Sequence, residues 1–411
     1  MSLNHKTFPF PPILMLCLAF LTVLAAGCTP AAPEAIVESP ILPSRTVLPS
    51  SAPKPTSTAT AAPSPTAQPP TATPSYPQDG VGPLDYPAGY NPLTGLKVID
   101  PDLLDRLPMI VKVVNIPRYT RPQYGLSLAD HVYEYYTEEG STRFAAVYYG
   151  QDAEKVGGIR SARYFDISLI QMYKAIFAFG RADEQIIQKL YKKDFADRLV
   201  IELPDNCPPI CRFAPDGQNM LVVDTRKLNP YLENKGIDIQ KPDLNGLSFT
   251  KQTPEGGRDI GHVYVRYSGA IYNRWDYDPV TGRYQRWVDT KNDYNHANEV
   301  YAQLTDALTG DPILADNVVV LWMEHTYLAF TEESQTVDMH FLSDGTAYAA
   351  RDGKFYTLEW KRDARSSMLQ LVYPDGSPYP LKPGNTWFEV IGESSKKTVA
   401  DDQVRFEFAI P

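Results

Sequence analysis

Residues 121–144 read R-P-Q-Y-G-L-S-L-A-D-H-V-Y-E-Y-Y-T-E-E-G-S-T-R-F, and residues 157–165 follow with G-G-I-R-S-A-R-Y-F. Arginines, carboxylates and turn glycines are denser here than elsewhere in the 411-residue chain. His131–Glu138 alternates polar and apolar residues and is rich in tyrosine, the pattern of a strand. Thr142–Gly150 is a second apolar run. Gly140-Ser141 between them suits a two-residue hairpin turn with glycine first. Strand side chains repeat every second residue, so Glu134, Tyr136 and Glu138 share one face. The same turn sets Arg143 on that face, opposite Glu138 and diagonal to Tyr136.

Gly157-Gly158 then breaks the chain. Ser161 is a good N-cap for a helix over Ala162–Lys174, where Ile167, Ile170, Gln171 and Lys174 fall at helical spacing. Arg160 and Arg163 therefore stand at a helix start, where the backbone already presents positive charge. Cations are mildly unfavourable there unless an anion is near. A bound phosphate or carboxylate fits, as at other helix N-termini. A protein carboxylate fits equally well, with Asp130, Glu134 and Glu138 the nearest. The candidate site is thus Arg121, Asp130, Glu134, Glu138, Arg143, Arg160, Ser161 and Arg163, at the rim of a small sheet. Structural ion-pair networks gather the same residue types, so both readings stay open.

Ahead of this stretch, His5 and Lys6 precede the apolar run Ile13–Leu24, which ends in Ala25-Ala26-Gly27-Cys28. The run is too short for a comfortable membrane span and ends in small residues, as a signal peptide does. The cysteine after Ala-Ala-Gly resembles a bacterial lipobox, in which Cys28 is lipidated, although Ala25 replaces the commoner leucine. Residues 1–27 are then a signal peptide. Residues 28–87 form a linker of Pro, Ala, Ser and Thr that cannot bury a core and reads as a disordered stalk. Fully extended, at ~3.1 Å per residue, it reaches beyond ~150 Å. The expected location is extracytoplasmic, with the chain anchored to the bacterial membrane by its lipid.

Behind the stalk the pattern divides in two. Met109–Ile116 is a buried-strand run stopped by Pro117. Ala175–Phe179 reads as a strand, Asp183–Phe195 as a helix capped by Asp183, Asp197–Leu203 as a strand and Asp224–Lys235 as a helix. This order gives an α/β layered domain over 88–240. From His262 the signals are strands and turns. His262–Tyr267, Ala270–Tyr277, Tyr284–Val288, Asn317–Leu328, Thr386–Ile391 and Val404–Ile410 are strands. Turns fall at Asp278–Gly282, Ser343-Asp344-Gly345, Arg351-Asp352-Gly353 and Pro374-Asp375-Gly376. Residues 241–411 are therefore β-rich, and the fold class is α+β.

Several of these residues together resemble the YerB-type lipoprotein family, a two-part bacterial domain of unknown function. The resemblance rests on Asn91-Pro92-Leu93-Thr94-Gly95, Arg121-Pro122-Gln123, Gly125-Leu126-Ser127, Ala129-Asp130, Tyr133-Glu134, Glu138, Gly140, Thr142-Arg143-Phe144, Gly157 and Arg160-Ser161-Ala162-Arg163. Later, Tyr277, Asn317-Val318-Val319-Val320, Pro383-Gly384 and Thr386-Trp387 look like its C-terminal part. The likeness covers about residues 91–392. Two departures stand out: Gly180-Arg181-Ala182-Asp183 replaces a Gly-Ser-Pro-type turn, and Pro215-Asp216-Gly217-Gln218-Asn219 lacks the histidine of Pro-His-Asn. The resemblance implies architecture and location but no reaction.

The chain carries 39 Lys+Arg against 49 Asp+Glu, a formal net charge of −10. That balance argues against a nucleic-acid binder, which shows a basic face. No G-x-S-x-G, H-E-x-x-H, Walker or Rossmann pattern is present, and no cofactor is implied. Cys207 and Cys211 lack two further ligands at zinc spacing, so no metal site is expected. Outside the cytoplasm the pair suits a disulfide. Two functions remain. The first is a lipid-anchored binding module, more in keeping with the chain than an enzyme, whose arginines hold an anionic or envelope-glycan ligand or a protein partner's carboxylates. The second is a cell-envelope hydrolase using Glu134, Glu138 or Asp130 with arginine stabilisation. Glu134 and Glu138, four residues apart on a strand, are roughly 13 Å apart, too far for a glycosidase pair.

Overall fold

A computed structural model describes residues 80–213, 221–330 and 335–409. The signal peptide, Cys28 and the linker up to residue 79 lie outside the described residues, as does the 215–219 departure. Residues 80–87, expected as the end of the linker, belong to the fold: Val81 is buried and pairs with Phe249. An apolar residue at this point lets the chain enter as a short bridge.

The class is α+β, with strands from both sequence segments meeting in one eleven-stranded sheet. His131–Tyr136 pairs antiparallel with Thr142–Tyr148 on one side. On its other side it runs parallel to Thr386–Gly392, which pairs in turn with Asn317–Met323. Met109–Val114, all six residues buried, extends the sheet through parallel Ile176–Phe179 and Leu199–Ile201. Runs buried on both faces lose the apolar–polar alternation, which is why M-I-V-K-V-V and N-V-V-V-L-W-M read as continuous.

Each face of this sheet has its own cover. Tyr133 and Tyr135 point to the helix Tyr164–Tyr173, where both rings meet Phe165 edge-on. Val132 and Glu134, one residue out of phase, point the other way. There a seven-stranded sheet packs, containing His262–Arg266, Tyr272–Asp278, Arg283–Asp289 and Gln403–Glu407. Trp275 of that sheet meets Trp387 of the main sheet at 5.2 Å between ring centroids. Large aromatics of this kind dominate the interlayer core, each burial stabilising by ~1.5–3 kcal/mol.

Four local expectations are corrected. Asn317–Leu328 is two strands, Asn317–Met323 and His325–Phe330, in different sheets. Glu324, exposed at the break, marks where the chain leaves the core. Ser343-Asp344-Gly345 opens the strand Ser343–Arg351 and is no turn, because Gly345 lies against the Trp360 ring, where a side chain would collide. The helix after Ser161 begins later, at Tyr164, with Arg163 as its N-cap. The second helix keeps Asp183 as its cap, with the carboxylate accepting from Gln185 N at 2.9 Å, but ends at Tyr191. Asp352-Gly353, both at positive φ, make the tight turn expected between Arg351 and Lys354.

Candidate functional site

The hairpin that carries the candidate residues closes three residues out of the expected register. Tyr136 pairs with Thr142 and Tyr135 with Arg143. The strand ends at Tyr136, and Thr137 N donates to Ser141 O at 2.9 Å across a loop of Glu138, Glu139 and Gly140. Glu139 and Gly140 take left-handed φ values of 49° and 74°, which glycine accepts without strain. A slip by an odd number of residues exchanges the faces of a strand. Arg143 therefore lies on the helix-facing side with Tyr135, and Glu134 points to the second sheet. Glu138, released into the loop, does not share the face of Glu134.

On the helix side a compact charged cluster results. Arg143 Nη2 donates to Glu138 Oε1 at 2.9 Å, and its Nη1 donates to Ser161 O at 3.0 Å. Arg163 Nε donates to Glu138 Oε2 at 2.6 Å, and its Nη2 reaches the same carboxylate. Arg143, Arg163 and Glu138 keep 17%, 19% and 24% of their side chains exposed, so the cluster opens at the surface. Behind it Lys112 is fully buried, donating to Asp166 at 3.1 Å and to the Tyr135 hydroxyl. Asp166 also accepts from Arg163 N at 2.6 Å, which caps the helix start. Ser161 takes part through its carbonyl and is not the cap.

These surroundings move the protonation equilibria. Burial lowers Lys112 to about 7; Asp166 opposes this, while Arg143 and Arg163 add to it. Burial, then the Arg163 charge, lowers Arg143 to about 10. Burial raises the carboxyl of Asp166 despite Lys112. Burial works against the ionised Glu138, yet Arg163 and Arg143 hold it below the usual carboxylate range.

The other expected members go elsewhere. Arg121 donates to Asn115 O at 3.0 Å and to both oxygens of Asp289, at 3.1 and 3.2 Å, tying its loop to the second sheet. Asp130 is buried and accepts from Tyr149 N, Gly150 N and Asn91 Nδ2 at 2.6, 3.0 and 3.0 Å. Arg160 is half-buried near Tyr119 and Arg212, and its backbone joins Lys112 O to Gly180 N. Cys207 and Cys211 are joined as a disulfide. Glu134 sits with no exposure beside Arg286, which also donates to Glu389 at 3.0 Å. The Arg286 guanidinium lies over the Trp387 and Trp275 rings at 4.3 and 5.0 Å. Glu134, Glu138 and Asp130 thus occupy three separate environments and share no cleft, so their geometry does not assemble a pair for hydrolysis.

Sequence reasoning missed Lys112, Asp166, Arg286 and Glu389. A signal existed for three of them. Lys112 interrupts an apolar run, Arg286 sits at the inward parity of Tyr284 and Val288, and Glu389 lies within T-W-F-E-V-I-G. A charge at a buried strand position needs a partner. Among the described residues no cluster of His, Cys, Asp or Glu is arranged to hold a metal, and no helix is long and apolar enough to cross a membrane.

Known proteins place this architecture. Residues 93–237 match the family described as "Protein of unknown function (DUF3048) N-terminal domain", and residues 263–388 match its C-terminal domain, together about two thirds of the chain. The protein named "Putative lipoprotein YerB" from Bacillus subtilis (strain 168) is 25% identical over 317 residues, covering 75% of this chain and 88% of that protein. A crystal structure of YerB protein from Bacillus subtilis matches with a TM-score of 0.60 and 26% identity, covering 74% of this chain and 96% of that one.

Proposed function

This chain belongs to the DUF3048 family, and on that premise we propose that it is an extracytoplasmic binding protein, held at the membrane by a lipid on Cys28, whose folded part takes an anionic ligand at the Arg143–Arg163 cluster. The tether is supported by the Leu24–Cys28 pattern and by the printed name of the Bacillus subtilis relative, a putative lipoprotein. One observation carries the binding role. Among the described residues Lys112, Arg143 and Arg163 pair with two carboxylates, Asp166 and Glu138, and two of the three cations reach the surface. A phosphate or carboxylate beside them relieves the cation–cation repulsion that adds to burial in lowering Arg143 and Lys112. Envelope glycans bearing such groups, or a partner's carboxylates, present this chemistry.

Thermal unfolding of the purified protein tests the site. Phosphate should raise the midpoint more than chloride at matched ionic strength, since a ligand of the native state stabilises it and screening alone does not distinguish the two. Glu138→Gln frees both guanidiniums and should enlarge the phosphate response, whereas Arg143→Ala should abolish it. Equal responses of the three proteins would show that the cluster is an internal ion pair and nothing more. For the tether, Cys28→Ser should move the protein from the membrane fraction to the medium or periplasm; retention at the membrane would refute lipid anchoring.

A further inference from the structure

A cavity lined by none of the arginine-cluster residues has a volume of about 790 Å³. That lies within the range of pockets that hold small organic ligands. Its lining includes Leu96–Asp100 and Leu103 from one segment, and Arg283, Asp316 and Pro383–Asn385 from the second half of the chain. Ala129, Asp130 and Gly150–Asp152 line it as well.

The charges around it sort by whether they are already matched. Asp152 accepts from Arg106 at 2.9 and 3.0 Å and from Thr225. Asp130 has three donors of its own. Asp316 lies 3.4 Å from Arg283 and 3.9 Å from Lys382, and accepts from Asn385 N. By contrast, Lys97 forms no hydrogen bond or ion pair among the described residues. Arg283 pairs with Asp316 through Nε at 3.4 Å and donates through Nη2 to Asn385 Oδ1 at 2.9 Å and Leu314 O at 3.3 Å, which leaves Nη1 without an acceptor among the described residues. Among the described residues the Asp100 carboxylate accepts from Asp102 N alone and forms no ion pair. Leu96, Val98, Ile99 and Leu103 add apolar surface, with Ile99 92% exposed.

We infer that this cavity binds a short zwitterionic peptide. The free carboxylate is taken by Lys97 and Arg283, the ammonium group by Asp100, and the side chains by the Leu96–Leu103 segment. A fatty acid would satisfy the cations and the apolar wall but leave Asp100 unused. Charge-assisted hydrogen bonds to one carboxylate are worth ~1.5–3 kcal/mol, or roughly 10- to 100-fold in affinity.

Calorimetric titration of the purified protein with tetraalanine tests the assignment, alongside its C-amidated form, its N-acetylated form and decanoate. Saturable binding of free tetraalanine is expected, weakened roughly 10-fold or more by amidation and less by acetylation. Lys97→Ala, an exposed change that leaves the fold intact, should weaken the free peptide and make it insensitive to amidation. Arg283→Gln should act in the same direction. Equal binding of free and amidated peptide, preference for decanoate, or no heat with any of the four overturns the inference. None of these outcomes bears on Arg143 or Arg163, so the two sites stand or fall separately.

Discussion

Glutamine at position 134 is the sharpest test of how the two sheets are joined. Glu134 and Glu389 share a single guanidinium, Arg286, and none of the three is exposed. Burial raises the Glu134 carboxyl; Arg286 opposes this, Glu389 reinforces it, and the result is about 7 against an ordinary 4.5. Between these two values the folded protein holds a proton that the unfolded chain has released. Stability therefore falls as pH rises. The contribution is fully present below about 4.5 and is lost through about 7, an interval that corresponds to ~3 kcal/mol. Glu134→Gln removes that proton. Its amide oxygen can still accept from Arg286, while its NH2 must face Asn115 or Thr142, which now donate to Glu134 at 2.9 and 2.7 Å. The mismatch costs ~1–3 kcal/mol at every pH and leaves the slope untouched. Urea unfolding of both proteins from about pH 4.5 to 8 supplies the difference curve. Asp130, raised by burial to about 6, and His131, lowered by burial to about 4, titrate in or near the same window. Both are present in either protein and cancel, as separate sites do. The wild type should lose ~3 kcal/mol relative to the variant across the range. A flat difference would mean that Glu134 stays ionised beside Arg286 and that the shared-guanidinium account is wrong.

Two further outcomes follow from the same structure. Lys112 has a folded-state value of about 7 against 10.5, so the unfolded chain holds the extra proton between these values and stability rises with pH over that range. Lys112→Met should erase the rise, and a variant whose stability still climbs between about pH 7 and 10 as the wild type's does would contradict it. Gly384 sits at φ 145°, and a Cβ there would lie 2.1 Å from Asp316 Oδ2. Gly384→Ala should lower stability by roughly 2 kcal/mol or more; a melting temperature equal to wild type would show that this wall of the cavity yields freely.

The period of the apolar residues made most strands legible. Met109–Val114, Ile176–Phe179, Tyr272–Asp278 and Thr386–Gly392 lie where the patterns put them, with ends moved by a few residues. What the patterns lack is pairing. Nothing in H-V-Y-E-Y-Y says that it lies parallel to T-W-F-E-V-I-G some 250 residues later, yet that pairing joins the two halves into one sheet. Parallel neighbours are chosen by the layers on either side and carry no turn to announce them. Asn317–Leu328 failed for a related reason. An unbroken apolar run fixes burial, but a change of sheet at Glu324 leaves the composition almost unaltered.

Half of the candidate residues come together in spite of this limit. Arg143, Arg163, Glu138 and the carbonyl of Ser161 do meet, although the hairpin argument that brought Arg143 to Glu138 used the wrong register. They meet because Glu138 leaves the strand, so its side chain is free to turn toward the helix start where Arg163 waits. Had the two-residue turn held, Glu138 would have shared the face of Glu134 and pointed to the second sheet, away from Arg163. Arg121 and Asp130 were drawn in by nearness along the chain, which is a poor guide once a strand separates two faces. Lys112 and Arg286 escaped for the opposite reason, since their partners lie 54 and 152 residues away. A charge inside an apolar strand announces that a partner exists without saying where. Three such charges, Lys112, Glu134 and Glu389, fall on strands of one sheet, with Lys112 on the helix side and both glutamates on the other. The alternation of the pleat alone then requires one acid from the helix and one base from the second sheet, the roles that Asp166 and Arg286 fill.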